Sequence, residues 1–338
     1  MEELKQIVFR LCGTDGVSGD EANTAAAAAK EFAPYAKAKT DRLGNMIACM
    51  GPEDAKTRVL LDAHLDQIGF IVTGIDDRGF LRIDRCGGAD RRTMPGAPVV
   101  VLGKERVEGV IGSVPPHLAD GDREKVPDPD RMAVDIGLTK KEAEKLVRPG
   151  DRVIFRSEPR ALLGTRVTAP ALDDRASVAA FVRVAQLLSQ EKLKCRVVFQ
   201  CSTREEVGGQ GATVGAYAAD PQQAIVVDVS FANQPGVRPE KSSPLGGGPM
   251  IGFAPLLDRA MGEKLVQLAQ QADMPYKRDV MGIETGTNSD TVAVTREGVR
   301  TALISIPLRY MHTPVEVADL TDLENTAQLM AAYLREVE

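Results

Sequence analysis

The sequence predicts an α/β protein in which a sheet covered by helices on both faces is interrupted by an inserted β-rich module. Three observations lead there. The 338 residues exceed one ordinary core and suggest two domains. After Arg166, buried-strand runs alternate with helical periods, the texture of a sheet with helices on both faces. Between about Gly69 and Gly164 the chain instead carries short β-rich runs separated by turn residues. The expected division is 1–68 with 165–338 for the α/β body and 69–164 for the insert.

Taken in order, an apolar-periodic opening ends near Gly13, and an alanine-rich helix follows around Asn23 to Phe32. Strands are expected at Met46 to Met50 and at Arg58 to Asp62. In the insert, Phe80 to Ile83, Pro98 to Leu102 and Val107 to Ile111 read as strands, and Thr139-Lys-Lys-Glu142 is a capping box opening one short helix. Beyond Arg166 come a helix from about Arg175 to Ser189 and strands at Arg196 to Phe199, Ala224 to Val227 and Thr301 to Ile306. Met261, Leu265 and Leu268 recur at helical spacing between Asp258 and Asp273. Thr321-Asp-Leu-Glu324 is a second capping box, expected to open the C-terminal helix.

Composition narrows the functional classes. An apolar fraction of 43% and a charged fraction of 27% are those of a soluble globular chain. No apolar stretch reaches the 18 or so residues of a membrane span, and acidic residues stand where a secretory signal carries positive charge, so a cytoplasmic location is expected. A net charge of −6 with interleaved signs, and no tryptophan, offers no basic stripe for nucleic acid. Five cysteines without a C-x-x-C pair suggest neither a disulfide framework nor a thiolate metal site.

Potential ligands fall in five clusters beside expected strands and helix starts. His64 and Asp66 follow the strand ending at Asp62, and Asp173-Asp174 precedes the helix near Arg175. Glu205-Glu206 follows Arg196 to Cys201, Asp228 closes Ile225 to Val227, and His312 lies beyond Ile304 to Ile306. Open α/β sheets bind ligands at the carboxyl ends of their strands, so these clusters can converge despite their separation in sequence. Taken singly, each has an ordinary reading: a structural histidine, an N-cap at Asp173-Asp174, a solvated pair at Glu205-Glu206. Asp228, after three apolar strand residues, is the hardest to dismiss, because a buried carboxylate is costly without a cation or donors. His117, after Pro115-Pro116, reads as structural.

Two imidazoles and at least three carboxylates without a thiolate suit zinc, cobalt or manganese, and exceed the needs of one four-coordinate catalytic ion. Two ions sharing a carboxylate use the set economically. A water held between them loses its proton near neutral pH and becomes the nucleophile, and an uncoordinated carboxylate is needed to carry that proton to the leaving amine. Successive side chains diverge, so one member of Glu205-Glu206 can bind metal while the other faces the water; spacing alone does not assign them.

The clusters together resemble the tetrahedral aminopeptidases, a metallopeptidase family that also holds glutamyl and deblocking aminopeptidases and proteins once labelled cellulase M. The resemblance runs through Gly16-Val-Ser-Gly-Asp-Glu21, Asp62 to Phe70, Val110 to His117, Ala171-Leu-Asp-Asp-Arg175, Arg204-Glu-Glu-Val-Gly208, Val227-Asp-Val-Ser230, Gly286-Thr-Asn-Ser-Asp290 and Pro307 to Glu316. It implies a phosphorylase/hydrolase-like mixed-sheet catalytic domain with an inserted, β-barrel-like assembly domain. It implies one divalent ion on His64 and Asp228, another on Glu206 and His312, Asp173 bridging both, Glu205 as general base and Asp66 supporting His64. Zinc or cobalt is the expected metal, with manganese as an alternative. The implied activity is release of N-terminal residues from short peptides, in homo-oligomers from dimers to hollow tetrahedral dodecamers. Other readings of the same chemistry are a deacylase or carboxypeptidase, or a non-catalytic metal-stabilised scaffold. Gln67 stands where the family usually has Glu, and Ser230 where Thr is more usual; Gln67 is not expected to ligate. Arg175, Arg309 and the loop from Ser242 to Gly248 are candidates for the rim of a substrate pocket, where a basic residue suits acidic N-terminal residues.

Overall fold

A computed structural model describes residues 1–114, 126 and 128–338. His117 lies outside the described residues. The chain opens with α1 (Glu2–Cys12) and α2 (Ala22–Phe32), then β1 (Ala38–Thr40), β2 (Met46–Met50) and β3 (Arg58–His64). There follow β4 (Gly69–Ile75), β5 (Leu81–Cys86), β6 (Pro98–Leu102), β7 (Arg106–Ile111), β8 (Ala133–Asp135), α3 (Lys140–Leu146) and β9 (Arg152–Phe155). The remainder is β10 (Arg160–Ala161), β11 (Arg166–Ala169), α4 (Leu172–Leu188), β12 (Arg196–Ser202), α5 (Gln210–Ala219), β13 (Gln223–Phe231) and β14 (Met250–Phe253). It ends with α6 (Arg259–Gln271), β15 (Lys277–Val280), α7 (Ser289–Val292), β16 (Arg300–Leu308), β17 (Glu316–Asp319) and α8 (Leu320–Glu336).

Eight strands form one mixed sheet in the order β1-β2-β12-β3-β13-β16-β14-β15. Its centre, β12, β3, β13 and β16, is parallel, while β2 and β14 join it antiparallel. The central strands are near-continuous apolar runs because both faces are covered. The pleat then sorts them. Val59, Leu61, Val197, Phe199, Ile225, Val227, Ala302 and Ile304 enter the large core that α1, α2, α4, α6 and α8 close. Their alternates Leu60, Val198, Val226 and Leu303 meet Ala212 and Ala216 of α5 and Val292 of α7 on the other face.

The insert closes into a six-stranded barrel in the order β4-β5-β8-β7-β6-β9, with β4 and β9 sealing it through the pairs Phe70 with Val153 and Ile71 with Arg152. Alternate residues point inward: Phe70 and Val72, Leu81 and Ile83, Val99 and Val101, Val153 and Phe155 make a separate core. The box expected at Thr139 does open α3, the Thr139 N–H donating to Glu142 Oε2 at 3.0 Å.

The second expected box does not. Asp319 caps α8, accepting the Thr321 N–H at 3.0 Å, so the helix starts at Leu320 and Thr321 lies within its first turn. The reason is topological: β17 delivers the chain straight into α8, its last residue takes the cap, and Glu324 is drawn to Arg183 at 2.9 Å. β17 also pairs antiparallel with β11 in a small sheet, Ala169 opposite Glu316, which sets the strand leading to Asp173 beside the segment that follows His312. Among the described residues, no helix is long and apolar enough to cross a membrane.

Candidate metal centre

Because β12, β3, β13 and β16 are parallel, their carboxyl ends share one edge. His64 is the last residue of β3 and pairs with Ser202 at the end of β12, three residues before Glu205. Asp228 stands opposite Ser305 of β16, with β13 running on to Phe231. His312 lies in the turn between β16 and β17. Asp173 and Asp174 occupy a first turn of α4 that is not helical, with ψ of 102° and 31°.

These segments bring two groups of three possible ligands together: His64, Asp173 and Asp228, and Asp173, Glu206 and His312, the ligand atoms of each group within 4.8 Å of one another. Asp173 is common to both. Its Oδ1 is 3.1 Å from His64 Nε2 and its Oδ2 3.3 Å from His312 Nε2, while Glu206 Oε1 is 3.4 Å from the same nitrogen. Glu205 belongs to neither group; its Oε2 lies 4.0 Å from His64 Nε2.

Both imidazoles have their tautomer fixed by an acceptor that cannot donate. His64 Nδ1 meets the Asp66 main-chain carbonyl at 2.9 Å, and His312 Nδ1 the Gly88 carbonyl at 3.1 Å, so each Nδ1 carries a proton and each Nε2, which faces the carboxylates, is the nitrogen that sheds its proton to bind a cation. Asp66 does more than face His64, from which its carboxylate is 3.5 Å away. It accepts the Ser18 hydroxyl at 2.7 Å and the N–H groups of Glu205 and Glu206 at 3.0 and 3.2 Å, so it anchors the turn that carries both glutamates.

Electrostatics point to a missing positive charge. Among the described residues, Asp173, Glu205 and Glu206 have only the imidazoles as ion-pair partners, and Asp228 has none. Burial, then the neighbouring Asp173 charge, pushes Glu205 to about 7 and Glu206 to about 8. Burial likewise raises Asp228 and Asp174 well above the carboxylate range. His312 is lowered by burial but raised more by Asp173 and Glu206, to about 10. A largely buried set of four carboxylates and two imidazoles, short of cations, fits divalent ions of the zinc, cobalt or manganese type.

The scaffold contains partners that motif spacing does not disclose. Glu316, buried, accepts the N–H of His312 at 2.9 Å and that of Asp173 at 3.0 Å. In the sequence it is only the last residue of the Pro307 to Glu316 motif, with nothing in its spacing to assign it a task. Asn288 donates to Asp62 Oδ2 at 2.9 Å and Ser202 Oγ at 3.0 Å, which explains why Gly286 to Asp290 belongs with the site motifs. Gly88, from the turn after β5, sits so close that a Cβ there would lie 2.6 Å from His312 Nδ1.

Arg175 is not a pocket residue. It is fully buried, and its guanidinium donates to the carbonyls of Leu65, Leu11, Thr14 and Gly16, tying the start of α4 to the N-terminal segment. Arg309 is half-buried and donates to the Asn233 carbonyl at 2.7 Å. The glycines of the Ser242 to Gly248 loop are held by α8, the N–H groups of Gly246 and Gly248 donating to Asp322 at 2.8 and 2.7 Å. Gln67 is buried outside both ligand groups, its N–H donating to Gly16 O at 2.9 Å. Ser230 donates to Asp279 at 3.0 Å. All five cysteines are free thiols, four of them buried.

Comparison with known proteins gives the class first: the chain superposes along its whole length on aminopeptidases. A TET aminopeptidase from a marine sediment archaeon, Thaumarchaeota archaeon SCGC AB-539-E09, matches with a TM-score of 0.94 at 28% identity, over 100% of this chain and 97% of that one. The TET1 peptidase of Pyrococcus horikoshii, which can assemble into a tetrahedron or a large octahedral shell, matches at 0.87 and 31%, over 99% and 100%. The sequence then gives the family. The profile of the M42 glutamyl aminopeptidase family matches residues 44–329, and a lysyl aminopeptidase of Pyrococcus furiosus is 35% identical over 89% of this chain and 87% of its own. The chain belongs to the M42 family and is a metal-dependent aminopeptidase.

Proposed function

We propose that the chain releases N-terminal residues from short peptides at a two-metal centre, with His64 and Asp228 holding one divalent ion, Glu206 and His312 the other, and Asp173 both. The observation that carries this is the pair of ligand groups sharing Asp173. When bound, the ions would polarise the scissile carbonyl and acidify a water between them. Glu205, outside both groups and 16% exposed, is the general base: it takes the water's proton and passes it to the leaving amine. Asp66 keeps Glu205 and Glu206 on their divergent headings by holding their N–H groups.

Zinc or cobalt, with manganese as an alternative, fits the nitrogen and oxygen donors. We read the barrel, within 69–164, as the assembly module of a homo-oligomer between a dimer and a tetrahedral dodecamer. Side-chain preference is open to assay: the related enzymes include a lysyl and a glutamyl aminopeptidase.

A panel of aminoacyl p-nitroanilides, offered to chelator-stripped protein with zinc, cobalt or manganese restored, tests the activity. Cleavage of free-amine substrates and not of their N-acetylated counterparts is the expected result. Preference for the acetylated or C-terminally placed bond would turn the reading to a deacylase or carboxypeptidase.

A further inference from the structure

Asp173 and His312 face each other across the centre but are brought there by unrelated stretches of chain, the first turn of α4 and the turn between β16 and β17. Neither backbone is intrinsically secure. Asp173 lies in a non-helical turn at a helix start, where main-chain N–H groups have no partner within the helix. His312 has a φ of 62°, a left-handed conformation that a residue with a Cβ keeps only when its surroundings hold it. Its ring is also the more accessible of the two, with the side chain 33% exposed against 2% for His64.

One side chain holds both. Glu316 is 1% exposed, and each of its oxygens is used once: Oε1 accepts the His312 N–H at 2.9 Å, Oε2 the Asp173 N–H at 3.0 Å. The groups it grips belong to the two residues whose side chains meet, not to their neighbours. The topology puts it there: Glu316 opens β17 opposite Ala169, the last residue of β11, which leads to Asp173. Among the described residues Glu316 forms no ion pair, so its carboxylate is not present to neutralise a lysine or arginine. Two converging N–H donors require a side chain with two acceptors. A glutamine of the same size offers one, and turns an NH2 group towards the other donor.

We propose that Glu316 is a positioning residue that locks the main chains of Asp173 and His312 into one unit and so presets the ligands of the second metal site. The inference rests on the two-metal reading above. It implies an asymmetry: two of the three side chains around the Glu206 site, Asp173 and His312, depend on Glu316, but only Asp173 of the three around the His64 site.

Cobalt(II) titration of chelator-stripped wild type and Glu316→Gln, following visible absorption and bound ions per chain, tests it. Wild type should bind two ions; fewer would sink the two-metal reading itself and not this step. In Glu316→Gln the ion with His312 among its ligands should bind about 10- to 100-fold more weakly, with an altered absorption spectrum, while the other site loses less. Two ions bound with wild-type affinity and spectrum would overturn the proposal, whatever the melting temperature does, because a purely structural glutamate would move only the latter. Should Glu316→Gln not fold, Glu316→Asp, which keeps the charge but is too short to reach both donors, takes its place. Residue-resolved hydrogen exchange on metal-free wild type adds an independent reading: the Asp173 and His312 amides should both be protected, and rapid exchange of either would contradict the clamp.

Discussion

At the level of single residues, Glu205 and Glu206 differ by what they can reach. Glu206 lies within ligand distance of Asp173 and His312, whereas Glu205 stands outside both groups beside His64. Their different placement supports the proposed division into a ligand and a base, which spacing alone leaves open. Replacing Glu205 by Gln keeps size and removes the proton acceptor. Turnover is expected to fall by about 10² to 10⁴ in kcat with metal content unchanged. Ordinary turnover in a metal-loaded Glu205→Gln variant would remove Glu205 from the mechanism. The seven carboxylates and imidazoles singled out as ligands, base or support lie close together, because such groups beside apolar strands are conspicuous against their costly surroundings, whereas Arg175, singled out for a pocket rim, is buried on backbone carbonyls instead. Glu316 and Gly88 escape such a reading. One is an acidic residue in a strand, the other a glycine in a turn, and each takes its meaning from a contact made across more than 140 or 220 residues of chain.

Among the elements, the parallel strands β3, β12, β13 and β16 are legible from composition, since covering on both faces demands apolar residues at successive positions. α5 is legible only in part. Gly208-Gly-Gln-Gly211 reads as flexible, close-approach backbone, and the close approach is made by a helix: Gly211 and Gly215 lie so near the end of β12 that Thr203 and Gln200 leave no room for a Cβ. β14, β15 and β17 are four residues each and too mixed to register. The barrel reaches the centre through the turn after β5. The Gly88 carbonyl accepts His312 Nδ1–H, and the Asp90 N–H donates to the His312 carbonyl at 3.1 Å. Gly88→Ala should displace the imidazole and cut kcat/KM about 10- to 100-fold, with circular dichroism and melting close to wild type. Unchanged kinetics would show that the barrel turn does not orient His312.

For the whole molecule, the centre stores unfavourable charge in the absence of ions, and pH sets how much. Glu205 and Glu206 are raised by burial to about 7 and about 8, above the ordinary range near 4.3. His312 is raised to about 10 from about 6.5, Asp173 outweighing burial. The sign is the same for both kinds of group: between about pH 5 and 8 the folded, metal-free chain binds more protons than the unfolded one, so its stability falls as pH rises. Melting of chelator-stripped protein should therefore drop from pH 6 to pH 8. Added zinc or cobalt should raise it more at pH 8 than at pH 6, because ligands must shed protons to bind. A flat metal-free profile would mean the carboxylates are neutralised in some other way.

The most direct test of the two-metal aminopeptidase is a stoichiometric one. Hydrolysis of a free-amine aminoacyl p-nitroanilide is followed while zinc or cobalt is titrated into chelator-stripped protein, with bound metal measured at each point. The account predicts that activity depends on added metal and reaches its plateau at two ions per chain. A plateau at one ion, with further binding adding no activity, or full turnover in the metal-free protein, would contradict it.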